Sequence, residues 1–487
     1  MLYTCSQVRQ IENDSFARGV DAGRLMESAG LAIAREIADF FPTPGHLVLF
    51  CGKGNNAGDI LVAARELVAR DWSYELDLAF PESELSPLAA RNLVVLREVA
   101  SPDKRDGGVC IALDGLLGIA ASGAPREPVA SAIRRINDLR KSRGAFVVAA
   151  DIPSGLDGDT GIPADPCVTA DLTVTIGLGK AGLIADSATN HVGRIALAPL
   201  PELIPIGTES LGLITPEILR PLLAPPDFDS HKGKWGHVGI IAGSRGLIGA
   251  ARLCAEAALR AGAGLVTVYA LPEGYSLLAA TMPPEIMVKP VPNYRFVLTE
   301  KLDAIGIGPG LGTEHVESIR EVVTRSPKPM VVDADALNIL ARHPYSWQKL
   351  GGPRLFTPHP GEMGRLWRDS VTLSRREAAE KYATQHRITL LLKGARTVIA
   401  HPGRPTVFNT TGNPGMGTGG MGDTLTGVCS ALLARNFNTY QSAMLGAWLC
   451  GRAAEKYVFG PGGSPESLTA GEIPHHLGAA FRELTRG

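Results

Sequence analysis

The segment LFCGKGNNAGDILVAARELVAR, residues 49–70, sets an apolar run, a loop of glycine and asparagine, and a helical pattern in immediate succession. The apolar run completes HLVLFC (46–51), which reads as a short buried strand, and the helix is expected to begin near Gly58 or Asp59. A strand that feeds a helix through such a loop exposes unpaired backbone N–H groups at the positive helix end, a natural seat for phosphate or another anion. The loop lacks the G-K-[ST] of a P-loop and does not complete G-x-G-x-x-G. A glycine turn with no ligand would also join the two elements. The paired amides Asn55 and Asn56, followed by the carboxylate of Asp59, are more than a plain turn requires.

Outward from this unit the same rhythm repeats, which is the mark of an α/β chain. IALDGLL (111–117) and AFVVAADIP (145–153) read as further buried strands, and ADLTVTIG (170–177) as one near an edge. Residues 6–39 read as one or two amphipathic helices, with Val8, Ile11, Leu25, Met26, Leu31, Ile33 and Ile37 as core candidates. The stretch 199–230 is rich in proline, which removes donors and fixes φ, so it reads as a connector carrying one short helix. The rhythm then restarts with HVGIIAG (237–243), LVTVYAL (265–271), AIGIGPG (304–310), MVVDADAL (330–337), RLFTPHPGE (354–362) and TLLLKG (389–394). Long helices fit 423–435 and 441–457. The expectation is two α/β domains, 1–210 and 220–487.

A chain of 487 residues has the length of about three average domains or two large ones. Lys+Arg total 48 and Asp+Glu 49, a balance that argues against a nucleic-acid-coating protein. The 56 glycines amount to about 11% of the chain against a usual ~7%, and they cluster after apolar runs, where loops are shaped around a ligand. The seven cysteines are scattered without a C-x-x-C pair, as reduced cytosolic thiols are. The N-terminus carries Arg9, Glu12 and Asp14 and no long apolar core, and no stretch reaches the ~18 apolar residues of a membrane span. No signal peptide, no membrane and a cytoplasmic location are expected.

In the first half, Asp114 and Asp151 each end an apolar run, where an α/β sheet places its ligand crevice. Either carboxylate alone could cap the following helix. Three strand-end loops, 52–59, 113–125 and 151–161, favour a pocket, and the oxygens of Asn56, Asp114 and Ser154 could hold a cation there. In the second half, NTTGNPGMGTGGMGDTLTGVCSALLA (409–434) runs glycines into a helix whose first turn is expected around Asp423. The N–H groups of Gly420, Met421 and Gly422 would then form an anion hole. Asp423 stands at its lip, where a general base takes a hydroxyl proton during phosphoryl transfer; the alternative is a plain N-cap. Lys393, Gly394 and Thr397 suit a nucleotide's phosphate and base, or else form a surface hairpin. His359, between prolines in TPHPGE, is a ligand candidate.

The motifs RLMESAG (24–30), GKGNNAGD (52–59), LDGLLGIAASG (113–123), DIPSGLDGDTG (151–161) and ADLTVTIGLGKAGL (170–183) resemble the N-terminal domain of the bifunctional NAD(P)H-hydrate repair enzymes. Over 220–487, HKGKWG, GLIGAARLCAEAALRAGAGLVTV, VVDADALNIL, FTPHPGEMGRL, LLKGARTVIA and TGNPGMGTGGMGD resemble the ribokinase-like dehydratase domain of the same family. The resemblance implies a Rossmann-like three-layer epimerase domain followed by a ribokinase-like domain. It implies that Asn55, Asn56, Ala57, Gly58, Asp59, Gly118, Gly123 and the acid/base group Asp151 meet the hydrated dinucleotide. Asn56, Asp114 and Ser154 would bind potassium. Ala251, Gly310, His359 and Asp423 would contact the hydrated cofactor in the second domain. Lys393, Gly394, Ala395, Arg396, Thr397 and Gly422 would bind the adenine nucleotide. The chain departs from the family pattern at Ile119, Ala120, Ser122, Gly417 and Met421.

The implied chemistry is repair of hydrated NADH and NADPH. The first domain would interconvert the R and S hydrates, and the second would dehydrate the S form with ADP as co-substrate, giving AMP and phosphate. Magnesium is expected at the nucleotide phosphates, and the chain is expected to be a homo-oligomer. The competing reading is a ribokinase-like vitamin or sugar kinase fused to a non-catalytic binding domain, since fold alone does not fix function.

Overall fold

The computed structural model describes residues 1–103, 108–121, 123–205, 211–347 and 349–486. The chain divides into two compact units, Met1–Leu213 and Ile214–Gly487. Among the described residues, no helix is long and apolar enough to cross a membrane.

The first unit opens with two helices, Cys5–Ala17 and Ala22–Phe40, started by Thr4 in a capping box with Gln7 and by Asp21. Their apolar residues recur at helical spacing, so Val8, Ile11, Leu25, Met26, Ile33 and Ile37 are buried. Leu31 is only partly so. A six-stranded sheet runs, edge to edge, Ser73–Leu78, His46–Cys51, Cys110–Gly115, Phe146–Ala150, Leu172–Ile176 and Arg194–Ala198, with every pair parallel. The 170–177 stretch therefore lies one strand in from the edge. The outer strand Ser73–Leu78 escapes a search for apolar runs because polar residues interrupt it, and Arg194–Ala198 because its apolar run is only four residues long before Pro199. The chain leaves His46–Cys51 toward one edge and returns to Cys110–Gly115 on the other side. Between those two strands lies the point where strand order reverses, and ligands of open α/β sheets bind there.

The second sheet has ten strands: Met287–Pro290, Leu265–Ala270, His237–Ile241, Ala304–Ile307, Met330–Val332, Arg354–Phe356, Thr389–Leu392, Val398–Ala400, Thr406–Asn409 and Leu211–Ile214. The first seven pair parallel, and Val398–Ala400 turns back antiparallel between its neighbours. Order reverses between His237–Ile241 and Ala304–Ile307, where the Gly243 N–H donates to Pro309 O at 2.8 Å. The proline-rich connector carries the helix Pro216–Leu219 and also the strand Leu211–Ile214, too short at four residues to stand out among prolines. Over the sheet, helices Ile248–Arg260 and Met421–Ala434 approach so closely that a Cβ on Gly427 would strike the backbone of Cys254. Trp448, Leu445 and Leu449 of helix Thr439–Val458 are fully buried in the same core.

Candidate active sites

In the first unit the helix after the opening strand begins at Asn55, with Gly54 as its cap, one turn earlier than glycine content suggests. Asn55, Asn56, Ala57, Gly58 and Asp59 therefore form the first helical turn rather than a loop. Asn55 is exposed and accepts from Ser86 Oγ at 3.0 Å. Ala57 and Gly58 are buried, and Gly58 makes room for Met26. Asn56 donates both amide hydrogens, to Leu117 O at 2.8 Å and Ala150 O at 3.1 Å, which fixes its Oδ1 as an acceptor. Leu117 N in turn donates to Ser154 Oγ at 3.0 Å, and Ser154 Oγ donates to Asp114 Oδ1 at 2.6 Å. Asp114 also accepts from Ser154 N at 2.8 Å and Leu116 N at 3.2 Å. The three oxygen donors predicted for a cation thus lie in one bonded network at the reversal of strand order.

Asp114 is fully buried, and burial pushes its carboxyl up to about 6 despite the hydrogen bonds that oppose the shift. No helix cap explains it, because its partners are the loops at 116 and 154. Gly118 faces Asn56, and Gly123 has a φ of +77° with open space at its Cβ position. Ser122 lies outside the described residues.

Asp151 has a φ of +68°, a left-handed conformation that a non-glycine residue adopts at a cost. Its Oδ1 accepts from Ile176 N at 3.0 Å and from Lys180 Nζ in a short ion pair. Lys180 is 1% exposed and also donates to Ile176 O at 2.8 Å. Two further acids complete the group. Burial drives Asp59 well above the usual carboxylate range, the negative charges of Asp151 and Glu12 add to it, and Lys180 opposes them. Burial raises Glu12 as well; Lys180 opposes the shift, Asp151 adds to it, and Arg9 opposes it.

In the second unit, helix Met421–Ala434 starts from Gly420, whose φ of +89° turns the glycine run into the helix. No side chain caps this helix, so Asp423 is not its N-cap. The N–H groups of Gly420, Met421 and Gly422 have no acceptor in the helix and belong to its positive end. Gly422 is closely seated: a Cβ there would lie 3.2 Å from Lys393 Nζ and 3.3 Å from Asp333 Oδ2. Lys393 pairs with Asp333 at 2.7 Å, and Asp333, 1% exposed, also accepts from Thr426 Oγ1 at 3.0 Å. Burial works against the charge on Lys393, but Asp333, Glu362 and Asp423 more than offset it and raise its pKa. Burial lifts Asp423 to about 7, Asp333 and Asp335 add to the shift, and Lys393 opposes it.

The remaining predicted residues frame this centre. His359 caps helix Pro360–Leu366: its Nδ1 accepts from Gly361 N at 3.0 Å, while its own N–H donates to Glu362 Oε2 at 2.8 Å. Lys393 N donates to Pro358 O at 2.9 Å, which joins the histidine loop to the lysine. Lys393 to Thr397 form the turn between two antiparallel strands; Thr397 Oγ1 donates to Gly394 O at 3.1 Å, and Arg396 is buried. Ala251 is fully buried under Gly243, and Gly310, at a φ of +61°, packs on Ala250 and Leu247. Leu253 of that helix lies against Gly420, so the two groups border one another. A cavity of about 500 Å³ lined by Asn338, Arg342, Arg365 and Arg368 sits instead at the far ends of the helices that begin at Ala334 and Pro360. It holds none of this machinery.

Comparison with known proteins assigns the two halves. The family described as YjeF-related protein N-terminus matches residues 22–182, and that described as NAD(P)H-hydrate dehydratase matches 238–467. The bifunctional NAD(P)H-hydrate repair enzyme of Moorella thermoacetica is 36% identical over 94% of this chain and 92% of its own length. The chain belongs to the bifunctional NAD(P)H-hydrate repair enzymes. It is an enzyme of NAD(P)H-hydrate repair that joins an epimerase to a dehydratase. The repair enzyme of Escherichia coli is 36% identical over 90% of this chain and 85% of its own. Among solved structures, the ADP/ATP-dependent NAD(P)H-hydrate dehydratase from Bacillus subtilis, co-crystallised with ATP and Mg2+, has a TM-score of 0.51 at 31% identity. It covers 56% of this chain and 98% of its own. A ribokinase-like superfamily protein from Enterococcus faecalis has a TM-score of 0.50 at 26% identity, covering 58% and 100%. The fold of this repair enzyme is α/β throughout, with a ribokinase-like second half.

Glu12, Lys180 and Asp333 of these centres carried no site role in the sequence. Lys180 and Asp333 lie inside quoted motifs, GLGKAGL and VVDADALNIL. Asp333 ends a strand as Asp114 and Asp151 do, and that signal was available. Lys180 offers no comparable local signal, because its partner lies 29 residues upstream.

Proposed function

We propose that Asp151 is the acid/base group of hydrate epimerisation and that Asp423 is the base of an ADP-dependent dehydration. The observation that carries the second assignment is a carboxylate, raised to about 7, at an uncapped glycine-rich helix start beside a buried lysine. Asp423 takes the proton of the C6 hydroxyl as its oxygen attacks the β-phosphate of ADP, and AMP leaves. The helix N-terminus and Lys393 meet the charge that develops on the transferred group. The C6–O bond then breaks with phosphate as leaving group, C5 loses a proton, and the C5–C6 double bond of NADH or NADPH returns. Direct loss of hydroxide would need a far poorer leaving group.

Lys393, Gly394, Ala395, Arg396, Thr397 and Gly422 hold the adenine nucleotide in this reading, and Gly310 and His359 face the hydrated ring. Ala251 supports that surface from beneath, since its side chain is buried. Magnesium, when bound, neutralises the nucleotide phosphates. The described residues offer no cluster of three or more His, Cys, Asp or Glu to cage it, which fits a metal carried in by the nucleotide. In the epimerase half, Asn56, Asp114 and Ser154 fit potassium. Asp114 is a buried carboxylate whose hydrogen bonds come from neutral donors alone, and Asn56, tied to the same loops through Leu117 O and Ala150 O, has its Oδ1 fixed as an acceptor. Asn55, Asp59, Gly118 and Gly123 flank the same crevice as dinucleotide contacts.

Two variants of the full chain test both assignments. Asp423→Asn should lower ADP-dependent recovery of NADH from pure S hydrate by ~100-fold or more while epimerisation continues. Asp151→Asn should do the reverse. Loss of both activities in either variant would mark a folding defect and return that residue to a structural role.

A further inference from the structure

The epimerase crevice holds three acids, Glu12, Asp59 and Asp151, that act on one another electrostatically, and a single lysine among them. That lysine is almost without solvent contact. It sits in the two-residue strand Gly179–Lys180, which pairs in parallel with Leu2–Tyr3 at the chain's start. A buried ammonium is costly unless paired. Lys180 has one carboxylate partner, Asp151, and spends a second hydrogen bond on Ile176 O. Every hydrogen bond to Asp151 falls on Oδ1, so Oδ2 is left without one among the described residues.

We propose that Lys180 is the positioning residue of the epimerase, holding the Asp151 carboxylate by its Oδ1 and turning its Oδ2 to the substrate. The proposal rests on the assignment of Asp151 as the acid/base group. Its chemical reason lies in the substrate. C6 of the hydrate carries a hydroxyl and is bonded to ring N1. Inversion there follows when a base removes the hydroxyl proton and an acid protonates N1. The C6–N1 bond breaks, an aldehyde forms, and closure on the opposite face returns both protons. No atom is gained or lost. Such a cycle needs one ionised and one neutral group in the same pocket, and pockets that push carboxyl groups apart supply the pair. One cation satisfies one carboxylate. With Lys180 committed to Asp151, Asp59 and Glu12 are the carboxyls left to burial, which favours their neutral forms. The Cys5 thiol, pushed up to about 12 by burial and Asp159, stays neutral beside them.

The left-handed backbone at Asp151 agrees with this role. A residue held at a φ of +68° against its preference is over-determined by its surroundings, and the Lys180 and Ile176 bonds are what hold it.

The test is a double-mutant cycle on the full chain, with dehydration of S hydrate as the internal measure of folding. Lys180→Met should lower kcat for epimerisation by ~30-fold or more with KM within about threefold, because Asp151 would lose the partner that orients its carboxylate. In an Asp151→Asn background, Lys180→Met should have almost no further effect, since its target is gone. That double variant buries no unpaired charge, so it keeps the test open if Lys180→Met alone folds poorly. Additive losses in the cycle, or a Lys180→Met variant whose loss falls on KM rather than kcat, would overturn the proposal. A normal rate in Asp151→Asn would instead overturn the assignment of Asp151 on which it rests.

Discussion

At the scale of single residues, burial sets the character of the acids. Asp423 and Asp114 are both lifted by desolvation, to about 7 and about 6, yet their neighbours give them different work. Asp114 is locked by three hydrogen bonds, whereas Asp423 stands at an open helix end beside Lys393. A base acts in its ionised form, and a carboxyl raised to about 7 is mostly protonated below that pH. The kcat/KM for dehydration should therefore fall about tenfold per pH unit on the acid side of ~7, and rise to a plateau above it. The residual activity of Asp423→Asn should lack this limb; a limb that persists in the variant would assign it to another group. The positions of Asp151, Asp423, Asp114 and Asn56 were legible in the sequence because each stands where an apolar run or a glycine loop ends. Asp333 carried the same strand-end signal as Asp114 and Asp151, but Lys180 became visible only in three dimensions. Its partner is 29 residues away, and no local pattern encodes a distance that folding creates.

At the scale of elements, what mattered was where each loop leaves its sheet. The strand-loop-helix at 46–68 was legible, but its helix starts at Asn55, because glycine content hides a first turn whose Gly58 packs on Met26. The hairpin at 393–397 combines two readings that looked exclusive: it is a turn between strands, and it brings Lys393 to the glycine run. In the first unit the loops after Cys51, Gly115 and Ala150 meet through Asn56, Asp114 and Ser154. Those oxygens are neutral or singly charged and number too few acids for a tight divalent site. Potassium should therefore support epimerisation more than sodium does. Activity unchanged after exhaustive removal of monovalent cations would leave the three residues as loop clamps.

At the scale of the whole molecule, the two centres share no residue and no sheet among the described residues. Each unit closes its own core, and the groups proposed for epimerisation, Asp151 with its positioning residue Lys180 and the neighbouring Asp59 and Glu12, all lie within Met1–Leu213. The groups proposed to face the nucleotide, from Lys393 to Asp423, all lie within Ile214–Gly487. Because the first centre draws on no nucleotide group and the strand Leu211–Ile214 belongs to the second sheet, residues 1–210 expressed alone should epimerise R and S hydrate at close to the full chain's rate, with or without ADP. The measurement is the decay of purified R hydrate in the fragment, with circular dichroism to establish that it is folded. A folded fragment that leaves R hydrate decaying at its spontaneous rate would mean that the epimerase centre needs groups from the second unit, and the residues assigned to it here would have to be redrawn.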